Sequence, residues 1–337
     1  MPLSRRSSLR LLAAAAGTAA LAPLVACQPG GRRAGRTGPW RLGVLQYLQV
    51  PAVEVTREGV LQGLAQNGFR PGQNLQVLLR QADGSPARCR RLAQELVAAD
   101  VDLLMAIGTP ALLAAIGAAP GSLPIVFCYC ANPWGAGAGG SATEHRANVT
   151  GTVTTTAVGE LLRVAQLLVP NLQQVGLLYN PAEPNSSFEA ELLAQAVAQR
   201  QLQLVREVVT DLADLPEAFQ LLQRQGVQAL IKVEDYVTLE GFDQLAALAL
   251  QARLPLLAEE PDDAGVLGCL AMVGWRSIQD GQWAGELASQ VLRGTAPASL
   301  PMQPPGDPGL WLNRDTARRL GIPLPASLLT QAQAVLG

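Results

Sequence analysis

The chain has 337 residues, with 25 Lys and Arg against 27 Asp and Glu and a formal net charge of −2. It carries no basic stripe, RNP-like pattern or zinc-finger spacing, which excludes a nucleic-acid partner. One histidine, His145, and five cysteines without finger spacing exclude a Cys/His zinc site, so no metal is expected.

Residues 1–26 read as a signal peptide. Arg5, Arg6 and Arg10 precede an alanine-rich apolar run over 11–24, too short and too alanine-rich for a good membrane span. Leu24-Val25-Ala26-Cys27 resembles a lipobox, which implies cleavage before Cys27 and a diacylglycerol on its thiol. Ser4-Arg5-Arg6-Ser7-Ser8-Leu9-Arg10 is similar to a twin-arginine export motif, with Ser where Phe is frequent, so the twin-Arg and Sec routes both stay open. Residues 27–39 then form the lipidated Cys and a tether rich in Gly, Pro and Arg. The expectation is an exported body, lipid-anchored on the periplasmic or extracellular face. Of the other cysteines, Cys128 and Cys130 fall on the same side of a strand, and all four read as buried small hydrophobes.

The body alternates strand and helix. Strands are predicted at 41–47, 74–80, 101–107 and 125–130, and helices at 53–67, 85–99 and from Thr109, which reads as an N-cap ahead of Pro110. A Gly- and Ala-rich loop over 132–145 follows. Its Gly135, Gly137 and Gly139 superficially resemble a phosphate loop, but no strand-to-helix context and no Walker lysine follow, and no cofactor is expected. The pattern resumes with helices at 160–168, 188–200, 215–225, 242–252 and 278–292, and strands at 175–179, 202–209, 227–233, 254–258 and 267–273. A tail carries a strand near 310–313 and helices at 315–320 and 326–335. At 186–189, Ser186 and Glu189 fit a capping box. The order β-α-β-α implies α/β architecture with parallel, helix-covered sheets in two similar units.

Just after the predicted strands come Gln46 and Tyr47, Gly108 and Thr109, Asn132, Asn180 with Asn185-Ser186-Ser187, Glu234 and Asp235, and Glu259 and Glu260. Ligands of open parallel sheets bind outside the carboxyl ends of the strands. If the two units face each other, these residues line one cleft suited to a small zwitterion. Thr109, Asn185 and Ser186, with their helix N-termini, would take a carboxylate, and Asp235 would pair an ammonium. Each also has a plainer role, as a cap or a turn carboxylate. No catalytic set is expected: G-x-S-x-G is absent and His145 has no nucleophile beside it. Glu234/Asp235 and Glu259/Glu260 could form an acid/base pair, although such pairs are common on surfaces.

The chain resembles the ABC-transporter substrate-binding proteins of the tryptophan/tyrosine type, a branch of the type I periplasmic binding-protein fold. The resemblance runs from about Arg41 to Leu329. It rests on Leu42-Gly43-Val44-Leu45-Gln46, Ala106-Ile107-Gly108-Thr109-Pro110-Ala111, Asn148-Val149-Thr150-Gly151-Thr152, 175–180 with Asn185-Ser186, Gly285-Glu286-Leu287-Ala288 with Leu292-Arg293-Gly294, and Leu320-Gly321-Ile322-Pro323-Leu324-Pro325. It implies two Rossmann-like lobes joined by a hinge, lobe 1 from 40–151 plus about 275–300 and lobe 2 from 152–274 plus about 301–337. It further implies closure on an amino acid held by Thr109, Asn185, Ser186 and Asp235, and delivery to permease and ATPase subunits. The chain departs from the family at Val233-Glu234-Asp235-Tyr236 and at Arg276-Ser277-Ile278. There Tyr47, Trp134, Tyr236 and Trp275 are candidate contacts to the ligand side chain, and Arg276 would favour a more acidic ligand. A sensor of the same fold uncoupled from transport, and an enzyme on the same architecture, are the competing functions.

Overall fold

The computed structural model describes residues 39–263 and 265–337. The expected signal peptide, Cys27 lipobox and nearly all of the tether lie outside the described residues.

The first half runs β1 (Trp40–Gln46), α1 (Pro51–Gln66), β2 (Leu75–Gln81), α2 (Pro86–Ala98), β3 (Leu103–Ile107), α3 (Thr109–Ala118), β4 (Ile125–Cys128) and β5 (Val149–Gly151). The second runs α4 (Val158–Leu168), β6 (Gln174–Tyr179), α5 (Pro184–Gln199), β7 (Gln203–Val208), α6 (Leu215–Arg224), β8 (Ala229–Ile231), α7 (Tyr236–Glu240), α8 (Phe242–Gln251), β9 (Leu256–Ala258) and β10 (Cys269–Gly274). The chain closes with α9 (Ser277–Leu292), β11 (Gly309–Asn313), α10 (Arg314–Leu320), α11 (Ala326–Gln331) and β12 (Ala334–Leu336).

Two sheets result, ordered β2-β1-β3-β4-β5 and β12-β11-β10-β9-β8-β6-β7. All neighbours are parallel except β10 and β11. The central strands are continuous apolar runs, as in Leu103–Ile107 and Ile125–Cys128, and every residue of both is buried. Strands covered by helices on both faces need such runs. The architecture is therefore α/β, with two parallel-sheet lobes flanked by helices.

After β10 the chain returns to the first lobe as α9, which lies on α1 at backbone contact. A Cβ on Gly281 would come within 2.0 Å of the Thr56 carbonyl oxygen, and one on Gly285 within 2.3 Å of the Val60 oxygen. Gly59 and Gly63 on α1 are equally closed against Ile278 and Gln282. These four glycines let the helices touch where no side chain fits. The crossings between lobes run side by side, with Thr152 bridged to Gln303 and Val153 N donating to Gln303 O at 3.1 Å.

Several local expectations are corrected. Helix α5 starts at Pro184, whose fixed φ suits a first helical position, so Ser186 lies inside the first turn. The Ser186–Glu189 capping box does not form, because the Glu189 carboxylate bonds Thr156 and Glu234 instead. Thr109 is the first residue of α3 rather than its cap, and Gly108, at φ +101°, holds the cap position. The 326–335 helix ends at Gln331, because 334–336 pair with β11. Two short elements, β5 and α7, were not expected. Both are too short for periodicity to reveal.

Candidate functional site

The carboxyl ends of both sheets meet at the lobe boundary, and direct bonds cross it. Tyr129 Oη, just after β4, donates to Glu260 Oε2, just after β9, at 2.6 Å. Asn132 Nδ2 donates to Pro184 O at 3.1 Å. The Tyr47 and Tyr236 rings stand 5.1 Å apart. Gly108 is required at this boundary, since a Cβ there would lie 2.6 Å from the Tyr236 hydroxyl oxygen. Tyr129 itself is a buried non-glycine residue at φ +51°, a strained conformation of the kind that clusters at ligand sites.

The sequence-selected residues fall as follows. Gln46 is fully buried and its Nε2 donates to Leu48 O and to Glu54. Thr109 Oγ1 lies beside the Cys130 thiol and Asn132 N. Asn185 Nδ2 donates to Glu234 O at 3.2 Å, and Ser186 Oγ accepts from Asn180 N. Asp235 is the N-cap of α7: Oδ1 accepts from Thr238 N and Oδ2 from Asn180 N, both at 2.8 Å. Tyr236 is buried with its hydroxyl unpartnered among the described residues. Tyr47 Oη donates to Gly84 O. Trp275 lines an interlobe cavity and donates its indole N–H to Gly306 O. Trp134 instead packs on the core of the first lobe. Arg276 is more than half exposed and paired with Asp262, so its charge is spent at the surface.

The sequence reading placed Glu234, Glu259 and Glu260 at strand ends, but it missed Asp280 and Lys232 and the buried cluster that they form together. Glu234, Glu259, Glu260 and Asp280 line a cavity of about 20 Å³ together with Tyr129, Thr154, Trp275 and Ser277. Glu260 accepts from Tyr129 Oη and from Ser277 Oγ, and Asp280 from Tyr129 N at 2.7 Å. Lys232, the only lysine of the chain, is buried beside them with Nζ 2.5 Å from Glu259 Oε1. Burial works against its charge, but Glu259 outweighs it and raises the ammonium pKa. On the acids, burial acts first and like charges add to it. Glu234 is pushed well above the usual carboxylate range, Glu260 to about 8 and Glu189 to about 7. Burial alone carries Asp280 up to about 6. The one sequence signal for this cluster was a lysine inside an apolar strand next to two acid pairs.

A second cavity, of about 480 Å³, opens at the cleft mouth between α2, α3 and the 182–184 turn, and Tyr47, Arg90, Leu113 and Glu183 are among its walls. Among the described residues no group of three His, Cys, Asp or Glu could hold a metal ion, and no helix is long and apolar enough to cross a membrane.

Residues 41–336 match the family described as ABC transporter substrate binding protein. The chain belongs to this family. Proteins of the family are binding proteins that work outside the cytoplasm with small-molecule ligands and ABC permease partners. Among similar proteins, a tyrosine-binding protein of Clostridioides difficile is 24% identical over 279 residues, which is 83% of this chain and 80% of that one. A conserved domain protein of Vibrio cholerae superposes with TM-score 0.82 at 27% identity, covering 88% of this chain and 99% of that one. A substrate-binding domain from Streptococcus pneumonia in complex with L-Trp gives TM-score 0.82 at 24% identity, covering 88% and 100%. A ligand-free, open substrate-binding protein from Clostridium difficile gives 0.69 at the same identity and the same 88% of this chain.

Proposed function

We propose that the chain is the solute receptor of an ABC importer, anchored outside the cytoplasm by a lipid on Cys27, and that it closes its lobes on an amino-acid-type ligand. The observation that carries this reading is the interlobe contact set, Tyr129 with Glu260, Asn132 with Pro184 and Tyr47 with Tyr236. These contacts join strand-end residues of two separate sheets, and such contacts make and break in hinge closure. The tyrosine-binding relative supports an amino acid as ligand, and the L-Trp complex of a protein with the same fold is in keeping with it.

In this reading the free N–H groups at the starts of α3 and α5, with Thr109, Asn185 and Ser186, receive the ligand carboxylate. Asp235, whose oxygens are taken by backbone N–H groups, acts by holding α7 and Tyr236 in place. Gln46 braces the end of β1 through Glu54. Tyr47, Tyr236 and Trp275 supply apolar surface to the ligand body.

A thermal-shift screen of the purified protein against the amino acids tests this. A ligand at roughly 100–1,000 times its dissociation constant stabilises by about 3–4 kcal/mol. No shift with any amino acid would overturn the ligand class. Loss of membrane association in Cys27→Ala tests the anchor.

A further inference from the structure

Resting on the reading of the cleft as a solute site, we infer that the ligand carries an organic cation, an ammonium set apart from any carboxylate, and that this group enters the cavity between Glu234, Glu259, Glu260 and Asp280.

The cavity is the size of one small polar group, since about 10–15 Å³ suffices for a water. Its walls present acceptors that the chain does not use. Glu234 Oε1, Asp280 Oδ1 and Glu259 Oε2 are buried and accept no hydrogen bond from the described residues. Glu234 is 5% exposed and Asp280 1%. Lys232 is not among the lining residues and its ammonium is already turned to Glu259 Oε1 and the Val233 carbonyl. Of the hydroxyls on its walls, Tyr129 and Ser277 donate to Glu260 and Thr154 Oγ1 alone is without a partner, so the spare acceptors outnumber the spare donors. Trp275 on its wall adds an aromatic surface of the kind that cations favour.

Metal ions fit this array poorly, because no three of the acids among the described residues converge on one point. An organic cation delivers its N–H groups in several directions and suits spaced acceptors. An α-ammonium does not suit it, because its own carboxylate, two bonds away, would be carried in among the acids. A distal ammonium avoids that repulsion. Glu234 connects the two ends of such a ligand: its carbonyl receives Asn185 Nδ2 at the start of α5, while its side chain faces the cavity.

Without ligand, protons do the neutralising. Glu234 faces Glu189 from α5, Glu259 and Glu260 after β9, Lys232 just after β8, and Asp280 of α9 and Tyr129 across the cavity. An entering cation displaces protons from this group, so cation affinity rises with pH.

The experiment is calorimetric titration of the purified protein with L-lysine, cadaverine, L-norleucine and L-tyrosine at pH 6 and pH 8.5, in buffers of different ionisation heat. L-lysine is expected to bind at least tenfold more tightly than L-norleucine. Cadaverine is expected to bind with proton release. Glu234→Gln is expected to raise the melting temperature of the free protein while cutting the lysine preference at least tenfold, opposite movements that misfolding cannot mimic. Equal binding of lysine and norleucine, or binding of neither cation, overturns the inference. Tyrosine binding without any preference for cations overturns it and leaves the amino-acid reading standing. Cadaverine binding with no amino acid bound supports it and removes the amino-acid reading. Saturation by potassium or calcium chloride alone overturns the organic identity of the cation.

Discussion

Tyr129 and Glu260 are joined across the lobe boundary by one buried hydrogen bond of 2.6 Å, from the phenol of the first lobe to the carboxyl of the second. Tyr129→Phe leaves that carboxyl oxygen unpaired in the closed state only, where an unsatisfied buried acceptor costs about 1–3 kcal/mol. The variant should shift the ligand-free protein toward an open arrangement. Small-angle scattering should record a larger radius of gyration, and an unchanged value would show that the bond does not hold closure.

Stability should fall as pH rises. Glu189, Glu260 and Asp280 have folded-state pKa values of about 7, 8 and 6, above the ordinary carboxylate value, and Glu234 is raised as well. Between the unfolded and folded values the native state holds more protons, so unfolding free energy declines with pH. The contribution is complete below the unfolded carboxylate pKa and is lost as pH climbs through about 6 to 8. Melting temperatures recorded from pH 5 to 9 at constant ionic strength should decrease, whereas a rise over that range would contradict the proton assignment.

Removing the buried lysine isolates Glu259 among other acids. Lys232→Met should destabilise by about 3–5 kcal/mol, the usual cost of breaking a buried ion pair from one side. Adding Glu259→Gln should restore part of that loss. Denaturant titration of the two single variants and the double variant measures the coupling, and strict additivity would mean that the pair does not interact.

Gly281→Ala places a Cβ about where the Thr56 carbonyl oxygen already stands, 2.0 Å away. Helix propensity alone would favour alanine by about 1 kcal/mol. Overpacking of this severity costs about 1–3 kcal/mol or more and should win. A lowered denaturation midpoint is expected, and a gain in stability would show that α1 and α9 can move apart freely.

Asp235→Ala should act first on stability. It removes the cap of α7, worth about 1 kcal/mol, and leaves the buried Asn180 N–H with Ser186 Oγ as its one acceptor. A direct ligand contact predicts the reverse pattern, a collapse in affinity with little change in melting temperature. Measuring both on one preparation separates the two roles.

The lobes and most of their elements were legible in the amino-acid order because buried parallel strands must be continuous apolar runs and covering helices must carry a periodic face. Val175–Tyr179, Leu103–Ile107 and the helix before Gly294 needed no partner to be recognised. The positions at strand ends were legible too, since topology dictates where they point. Short elements escaped: α7 and β5 have too few residues for a period, and residues 334–336 became a strand only because an exposed edge of β11 lay beside them.

The sequence by itself determined the α/β class, the export signal expectation and the residues that stand at the carboxyl ends of the sheets. Tertiary structure decided what those residues do. It set Asp235 at a helix cap, turned Arg276 out to pair with Asp262, and drew Glu234, Glu259, Glu260 and Asp280 from three separate segments around one small cavity. A carboxylate's role depends on its solvent exposure and on the charges near it, and neither is a property of local sequence.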